Sequence, residues 1–319
     1  MSKSTSVLNS RGFQATIAAL AGAAIFNRIS AARAERRYPP VGRILDVDGV
    51  ALHVLERGSG DPVVLVHGSG SLIQDFLTSG LVDRLAATRR VIVFDRPGYG
   101  HSERPRGTIW TPERQAALLV AACKQLGVER PVVLGHSWGS LVAVAWALDH
   151  PDSLSRLVLA SGYYFGTPRP DMIPTAIGGM PVIGDLFAQT IAPIQTRLTG
   201  PAGNRMIFSP ADPTQRFLDD MPFELMLRPK HLRATAADSG QMPIAAARLA
   251  KRYAALTLPV TILWGEGDKL VGQSGQSARL LRELPQANGM EIPGGGHMIH
   301  HVRPDIVEHA ILTGKAGTR

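Results

Sequence analysis

The sequence predicts an α/β protein: a mostly parallel, doubly wound sheet with one long helical insertion. Three observations predict it. Short apolar, β-branched runs alternate with Ala-rich stretches along most of the chain. One junction between them, Gly135-His136-Ser137-Trp138-Gly139, reads G-x-S-x-G between Pro131-Val132-Val133-Leu134 and Ser140 to His150. The alternation breaks from about Gly162 to Leu256 and resumes at Leu258.

The first 41 residues stand apart. Lys3 and Arg11 precede Phe13 to Phe26, which is apolar apart from Gln14 and Thr16, and Ala32-Arg33-Ala34 resembles an A-x-A cleavage site. Arg28 and Arg33 follow the apolar run, and positive charge on that side favours retention in the cytoplasm. A cleaved signal, an uncleaved membrane anchor or interfacial helix, and a passive extension all fit this outline. The corresponding locations are exported, membrane-associated and cytoplasmic. Tyr38-Pro39-Pro40 reads as a stiff junction. The formal net charge is +8, and this arm carries +5 of it, so the basic bias is not a property of the body. No basic run interleaved with aromatics occurs in the body, which disfavours nucleic-acid binding.

The body opens with Arg43–Val47 and Val50–Leu55 around Asp48-Gly49, a hairpin signal. Val63-Val64-Leu65-Val66 is a buried strand ending in His67-Gly68-Ser69-Gly70, and Val91-Ile92-Val93-Phe94 is another. Thr111 to Leu126 is an Ala-rich helix holding Cys123, the chain's single cysteine, which reads as a small buried residue. No Cys/His pattern suggests structural zinc. Leu154 to Ala160 is the strand after the G-x-S-x-G helix, and it ends in Ser161-Gly162 without a carboxylate. Leu258 to Trp264 runs into Gly265-Glu266-Gly267-Asp268. Gly289 to Pro293 is a short strand, followed by Gly294-Gly295-Gly296-His297. The last helix is expected from about Pro304 to Leu312. The domain reading is 1–41 as arm and linker, 42–161 with 257–313 as core, and 162–256 as a helical lid.

The chemistry follows from the junctions. G-x-S-x-G alone is weak in a chain with 33 glycines, where chance competes. Its strand-turn-helix setting lifts Ser137 above chance, since a serine on that turn projects its hydroxyl beside a helix N-terminus. A serine needs a base, and the base an orienting acid. His297, directly after three glycines, is the expected base, with His300 and His301 as competitors. Asp268 is the expected acid, with Glu266 as the alternative. Two backbone N–H groups should hold the oxyanion: that of Trp138, next to the nucleophile, and that of Ser69, with Gly70 as the fallback. His67 reads as a hydrogen-bonded loop anchor.

These residues resemble the α/β-hydrolase superfamily, in particular its lid-bearing serine hydrolases of the esterase and lipase kind. The order Ser137, Asp268, His297 is that of the fold's nucleophile, acid and base. The resemblance covers roughly Arg43 to Leu312. Asp95-Arg96-Pro97-Gly98-Tyr99-Gly100-His101-Ser102 is similar to the family's D-x-P-G-x-G-x-S loop, in which the aspartate is structural. The position of the insertion is that of the family's lid. Its six methionines, Met172, Met180, Met206, Met221, Met226 and Met242, suit an adaptable apolar pocket or an irregular helical core equally. Tyr163, Tyr164 and Phe165 stand at its entry, where they could line the pocket.

The resemblance implies a hydrolase that needs no cofactor and no metal and acts on a small-molecule acyl substrate. Epoxide hydrolases and haloalkane dehalogenases resemble one another in using Asp at the elbow. Ser137 suits attack on an acyl carbonyl instead. A carboxylic ester comes first, with thioesters, amides and carbon–carbon bonds next to a carbonyl after it. Cofactor-free haloperoxidases and perhydrolases keep the same triad and remain an alternative. Non-catalytic binding proteins of this fold usually lack part of the triad, and here each part has a candidate.

Overall fold

The computed structural model describes residues 11–168, 178–180 and 182–317. Eight strands form one sheet: β1 Arg43–Val47, β2 Val50–Arg57, β3 Pro62–Val66, β4 Arg90–Phe94, β5 Val132–His136, β6 Arg156–Ala160, β7 Val260–Gly265 and β8 Ala287–Ile292. Their order is β1-β2-β4-β3-β5-β6-β7-β8. The β1–β2 hairpin turns at Asp48-Gly49, both at positive φ, and pairs antiparallel with β4 through β2. All later pairings are parallel. β3 to β7 bury nearly every residue, as expected of a parallel sheet covered on both faces.

The described helices are α1 Arg11–Arg37, α2 Ile73–Thr78, α3 Leu81–Ala86, α4 Pro112–Gln125, α5 Gly139–Asp149, α6 Ile183–Thr190, α7 Ala192–Phe208, α8 Gln215–Asp220, α9 Phe223–Met226, α10 Pro229–Ala250, α11 Ser277–Glu283, α12 Ile299–Val302 and α13 Pro304–Thr313. α4 and α5 cover one face of the sheet, where Leu119, Trp146, Leu159 and Ile262 share a core. α3 and α13 cover the other, where Leu85, Val93, Leu263 and Ile306 meet. α4 begins at Thr111, whose hydroxyl accepts from the Arg114 N–H and whose successor is proline. Between β6 and β7 the described residues hold helices and turns but no strand, α6 to α10.

Residues Arg11–Arg37 of the arm form one continuous 27-residue helix, α1. Its N-terminal part exposes Ile17, Ile25, Phe26 and Ile29. Its C-terminal part is packed. The Asn27 side chain donates to the carbonyls of Gln189 and Thr190 at 2.9 and 2.8 Å. Ala34 is buried beside Leu72, Phe217 and Leu225. Arg228, buried in α10's N-terminal turn, donates to Glu35 at 2.8 Å. Ala32-Arg33-Ala34 therefore lies inside a helix docked on the body. By length and composition α1 could also cross a membrane.

Candidate functional site

Ser137 sits where β5 turns into α5, at φ +52°, a left-handed conformation that costs a non-glycine residue about 1–2 kcal/mol. The flanking glycines make the turn sterically possible. A Cβ on Gly139 would lie 2.3 Å from the Val66 carbonyl oxygen, and one on Gly135 would lie 2.6 Å from that of Gly139. The Ser137 N–H donates to the Ala160 carbonyl, tying the turn to β6.

His297 follows the glycine run after β8, and its Nε2 stands 2.8 Å from the Ser137 hydroxyl. Its Nδ1 stands 2.8 Å from Asp268 Oδ2. With Nδ1–H donating to the carboxylate, Nε2 is left to accept the serine proton. Asp268, in the loop after β7, also accepts from the Leu270 and Val271 N–H groups and from Gln273 Nε2. Burial alone would raise its pKa, but His297 and these N–H donors hold it below the ordinary aspartate value. The imidazole is positioned by its own backbone too: the His297 N–H donates to Ile207 of α7.

The competing residues stand elsewhere. Glu266 is exposed and accepts from the Gly294 N–H at 3.1 Å. His300 and His301 turn away from Ser137, and their Nε2 atoms lie 3.1 and 2.8 Å from Asp75 Oδ1. Among the described residues, Asp75, His300 and His301 are the group with metal-ligand chemistry at close range. Two imidazoles donating through Nε2 to one carboxylate account for these contacts. Burial would raise the Asp75 pKa, but the two imidazoles hold it well below the ordinary value.

Ser69 and Trp138 line the same cavity as Ser137. Among the described residues neither backbone N–H donates to a protein acceptor. Gly70 lines the cavity as well. His67 is buried; its Nδ1–H donates to the Gly68 carbonyl at 2.8 Å and its Nε2 accepts the Arg96 N–H at 3.0 Å. Burial, then the Arg96 guanidinium, lowers its pKa to about 4, which keeps it a neutral anchor. Asp95 accepts from the Ile73 and His101 N–H groups and from His53, holding loops on both sides of β4.

The cavity over Ser137 has a volume of about 310 Å³. Met221, Met226 and Met242 line it, together with Met298, Phe217 and Leu270. Met180 and Met206 are exposed, and Met172 lies outside the described residues. Tyr163 reaches the cavity. Tyr164 and Phe165 do not: both are buried in the core, their N–H groups donating to Gln276 Oε1. No Arg or Lys lines the cavity among the described residues. Cys123 is buried away from it, and burial pushes its thiol pKa up.

Two clusters were not foreseen from the sequence: Asp75 with His300 and His301, and Arg96 with Asp238. Arg96 stood in the quoted loop motif, but nothing local marks Asp238 as its partner.

Residues 61–304 match the family described as having the α/β-hydrolase fold. The chain belongs to the α/β-hydrolase family. Among curated relatives, this hydrolase is 32% identical over 161 residues to a 2-hydroxymuconate semialdehyde hydrolase of Pseudomonas putida, covering 49% of this chain and 57% of that one. It is 28% identical over 254 residues to a 2-hydroxy-6-oxononadienedioate/2-hydroxy-6-oxononatrienedioate hydrolase 2 of the same organism, covering 77% of this chain and 85% of the relative. Among solved structures, a bacterial membrane phospholipase A superposes with a TM-score of 0.66 at 21% identity, over 94% of this hydrolase and 91% of that chain. At that identity the likeness is one of fold.

Proposed function

We propose that the protein is a serine hydrolase that cleaves a carboxylic ester of a small, largely apolar substrate through an acyl-enzyme. The observation that carries this is the hydrogen-bonded chain Ser137–His297–Asp268 at the wall of a mostly apolar cavity. In this reading the Ser137 Oγ attacks the acyl carbon while His297 Nε2 takes its proton. The N–H groups of Trp138 and Ser69 receive the negative charge on the former carbonyl oxygen, each donor contributing about 3 kcal/mol. His297 then returns the proton to the leaving alkoxide. Water, deprotonated by the same imidazole, releases the acid and regenerates the serine. Asp268 holds the Nδ1–H tautomer and stabilises the imidazolium. The helical segment between β6 and β7 acts as the lid, and its methionines accommodate varied acyl chains.

A second reading, cleavage of a carbon–carbon bond beside a carbonyl, is favoured by the names of the two Pseudomonas relatives. A dienedioate carries two carboxylates. Among the described residues the cavity lining carries no guanidinium or ammonium to pair them, and the ionised Asp75 lines its wall, so the ester reading ranks first. We also propose that the exposed apolar part of α1 brings the enzyme to a membrane.

A panel of neutral esters of graded acyl length beside a 2-hydroxy-6-oxo-dienoate tests the assignment. Turnover of apolar esters, with the dienoate at least 100-fold poorer in kcat/KM, is expected. Preferred turnover of the dienoate would replace the ester reading with the second one.

A further inference from the structure

Resting on the serine-hydrolase reading, we propose that Arg96 and Asp238 are a buried positioning pair that presets the oxyanion hole, with Asp238 supplied by the helical insert.

In a trans peptide the Gly68 C=O and the Ser69 N–H point in opposite directions from one plane. Whatever fixes the carbonyl also fixes the N–H. Here the Gly68 oxygen accepts from Arg96 Nη2 at 3.0 Å and from His67 Nδ1 at 2.8 Å. The same guanidinium donates through Nε to the His67 carbonyl at 2.9 Å. Two successive carbonyls of the loop are thus gripped from one side, and the Ser69 N–H is presented on the other.

Arg96 is in turn held by the insert. Its Nη1 donates to Asp238 Oδ2 on α10 at 2.7 Å and to Gln115 Oε1 at 2.9 Å, and Arg96 and Asp238 are both fully buried. Asp238 also accepts from Arg104 and from the Tyr99 hydroxyl, 3.1 and 2.8 Å away. That hydroxyl lies 3.3 Å from Ser69 Oγ.

The second donor residue is tied to the same pair. Trp138 donates its indole Nε1–H to the Asp238 carbonyl at 3.0 Å. The Arg96 guanidinium stacks 4.5 Å over its ring. Both residues proposed to hold the oxyanion therefore rest on one ion pair. A buried pair is weak evidence for stability in itself; its forked donors here have a directional task that an apolar pair could not perform.

The test uses the full-length protein, once its ester hydrolysis is shown to require Ser137; without that requirement the underlying reading fails before this one is reached. Arg96→Lys keeps the charge and loses the fork. Asp238→Asn and Tyr99→Phe are milder. For each variant that folds, kcat, KM, the Ki of a trifluoromethyl ketone that forms a hemiketal on Ser137, and the Kd of the matching unreactive ether are measured. Removing an oxyanion donor outright costs on the order of 10²–10³ in kcat, so Arg96→Lys is expected to lower kcat by roughly 10- to 100-fold and the milder variants by less. KM and the ether Kd should stay within about two-fold, and the ketone Ki should rise in step with the loss of kcat/KM across the series. A lost kcat without a weakened ketone, a raised KM at constant kcat, or unchanged kinetics would each overturn the proposal. If Arg96→Lys fails to fold, the two milder variants are read by the same correlation.

Discussion

The imidazole of His136, the residue before Ser137, donates through Nε2 to the backbone carbonyl of His297, 3.1 Å away. The nucleophile turn and the base loop are thus joined directly. Burial, then His300 and His297, holds the His136 pKa well below the ordinary value, so the ring is neutral with its proton on Nε2. His136→Ala should lower kcat about 10-fold with little change in KM, because a loosened His297 spends less time in line with Ser137. His136→Gln, which keeps a donor, should recover part of the loss. Equal losses in both variants would remove the hydrogen bond from the explanation.

The acid is tested by a pair of substitutions. Asp268→Asn should lower kcat by about two to four decades, since the imidazole loses its tautomer control and its counter-charge. Glu266→Gln should cost little, as Glu266 is exposed and accepts from the exposed Gly294 N–H. Steady-state kinetics on one activated ester decides between them, and the reverse ranking would move the acid to Glu266.

Acid stability follows from the buried histidines. Burial lowers the pKa of His67 to about 4 and of His231 to about 3, and lowers those of His101 and His301 as well. The unfolded chain binds protons at these imidazoles near pH 6.5 while the folded chain does not, so stability is full above that pH and falls as pH drops toward 4. The lowered aspartates, Asp75 and Asp268, act in the same direction but only below about pH 4. Thermal unfolding should show Tm about 5 °C or more lower at pH 4.5 than at pH 7. A flat Tm over that window would contradict the neutral, buried state of these rings.

The arm divides into two parts with different consequences. Deleting residues 1–26 removes exposed Ile17, Ile25 and Phe26 and keeps Asn27, Ala34 and Glu35 in place. The product should fold, retain activity and leave the membrane fraction. Deleting 1–37 strips the carboxylate from buried Arg228 and uncovers the Ala34 seat, so Tm should drop by several degrees beyond the first truncation. Fractionation and a melting curve on both forms check this; identical melting would make the docked part of α1 dispensable.

Much of this was legible in the chain. Strands β3, β5 and β7 are short, β-branched and apolar because both their faces are covered. Their ends are marked by glycines because the backbone turns sharply there, which is how Ser137, Asp268 and His297 could be read in order. What escaped reading depends on distant partners. Arg96 and Asp238 are 142 residues apart, and Asp238 sits in a helix whose local pattern gives no sign of a buried carboxylate. Asp75 is 225 and 226 residues from His300 and His301, and nothing local marks it as their partner. For α1 the sequence leaves a signal, an anchor and a passive extension open, because an Ala-rich helix docked through Asn27, Ala34 and Glu35 has the same composition as a signal segment.

The central claim, that Ser137 is an acylated nucleophile oriented by His297, is tested most directly by intact-protein mass spectrometry after reaction with a fluorophosphonate, followed by peptide mapping. One phosphonyl group per chain on Ser137 is expected, absent in Ser137→Ala and slowed by orders of magnitude in His297→Ala. Labelling of another residue, or no stoichiometric label on a folded chain, would contradict the account.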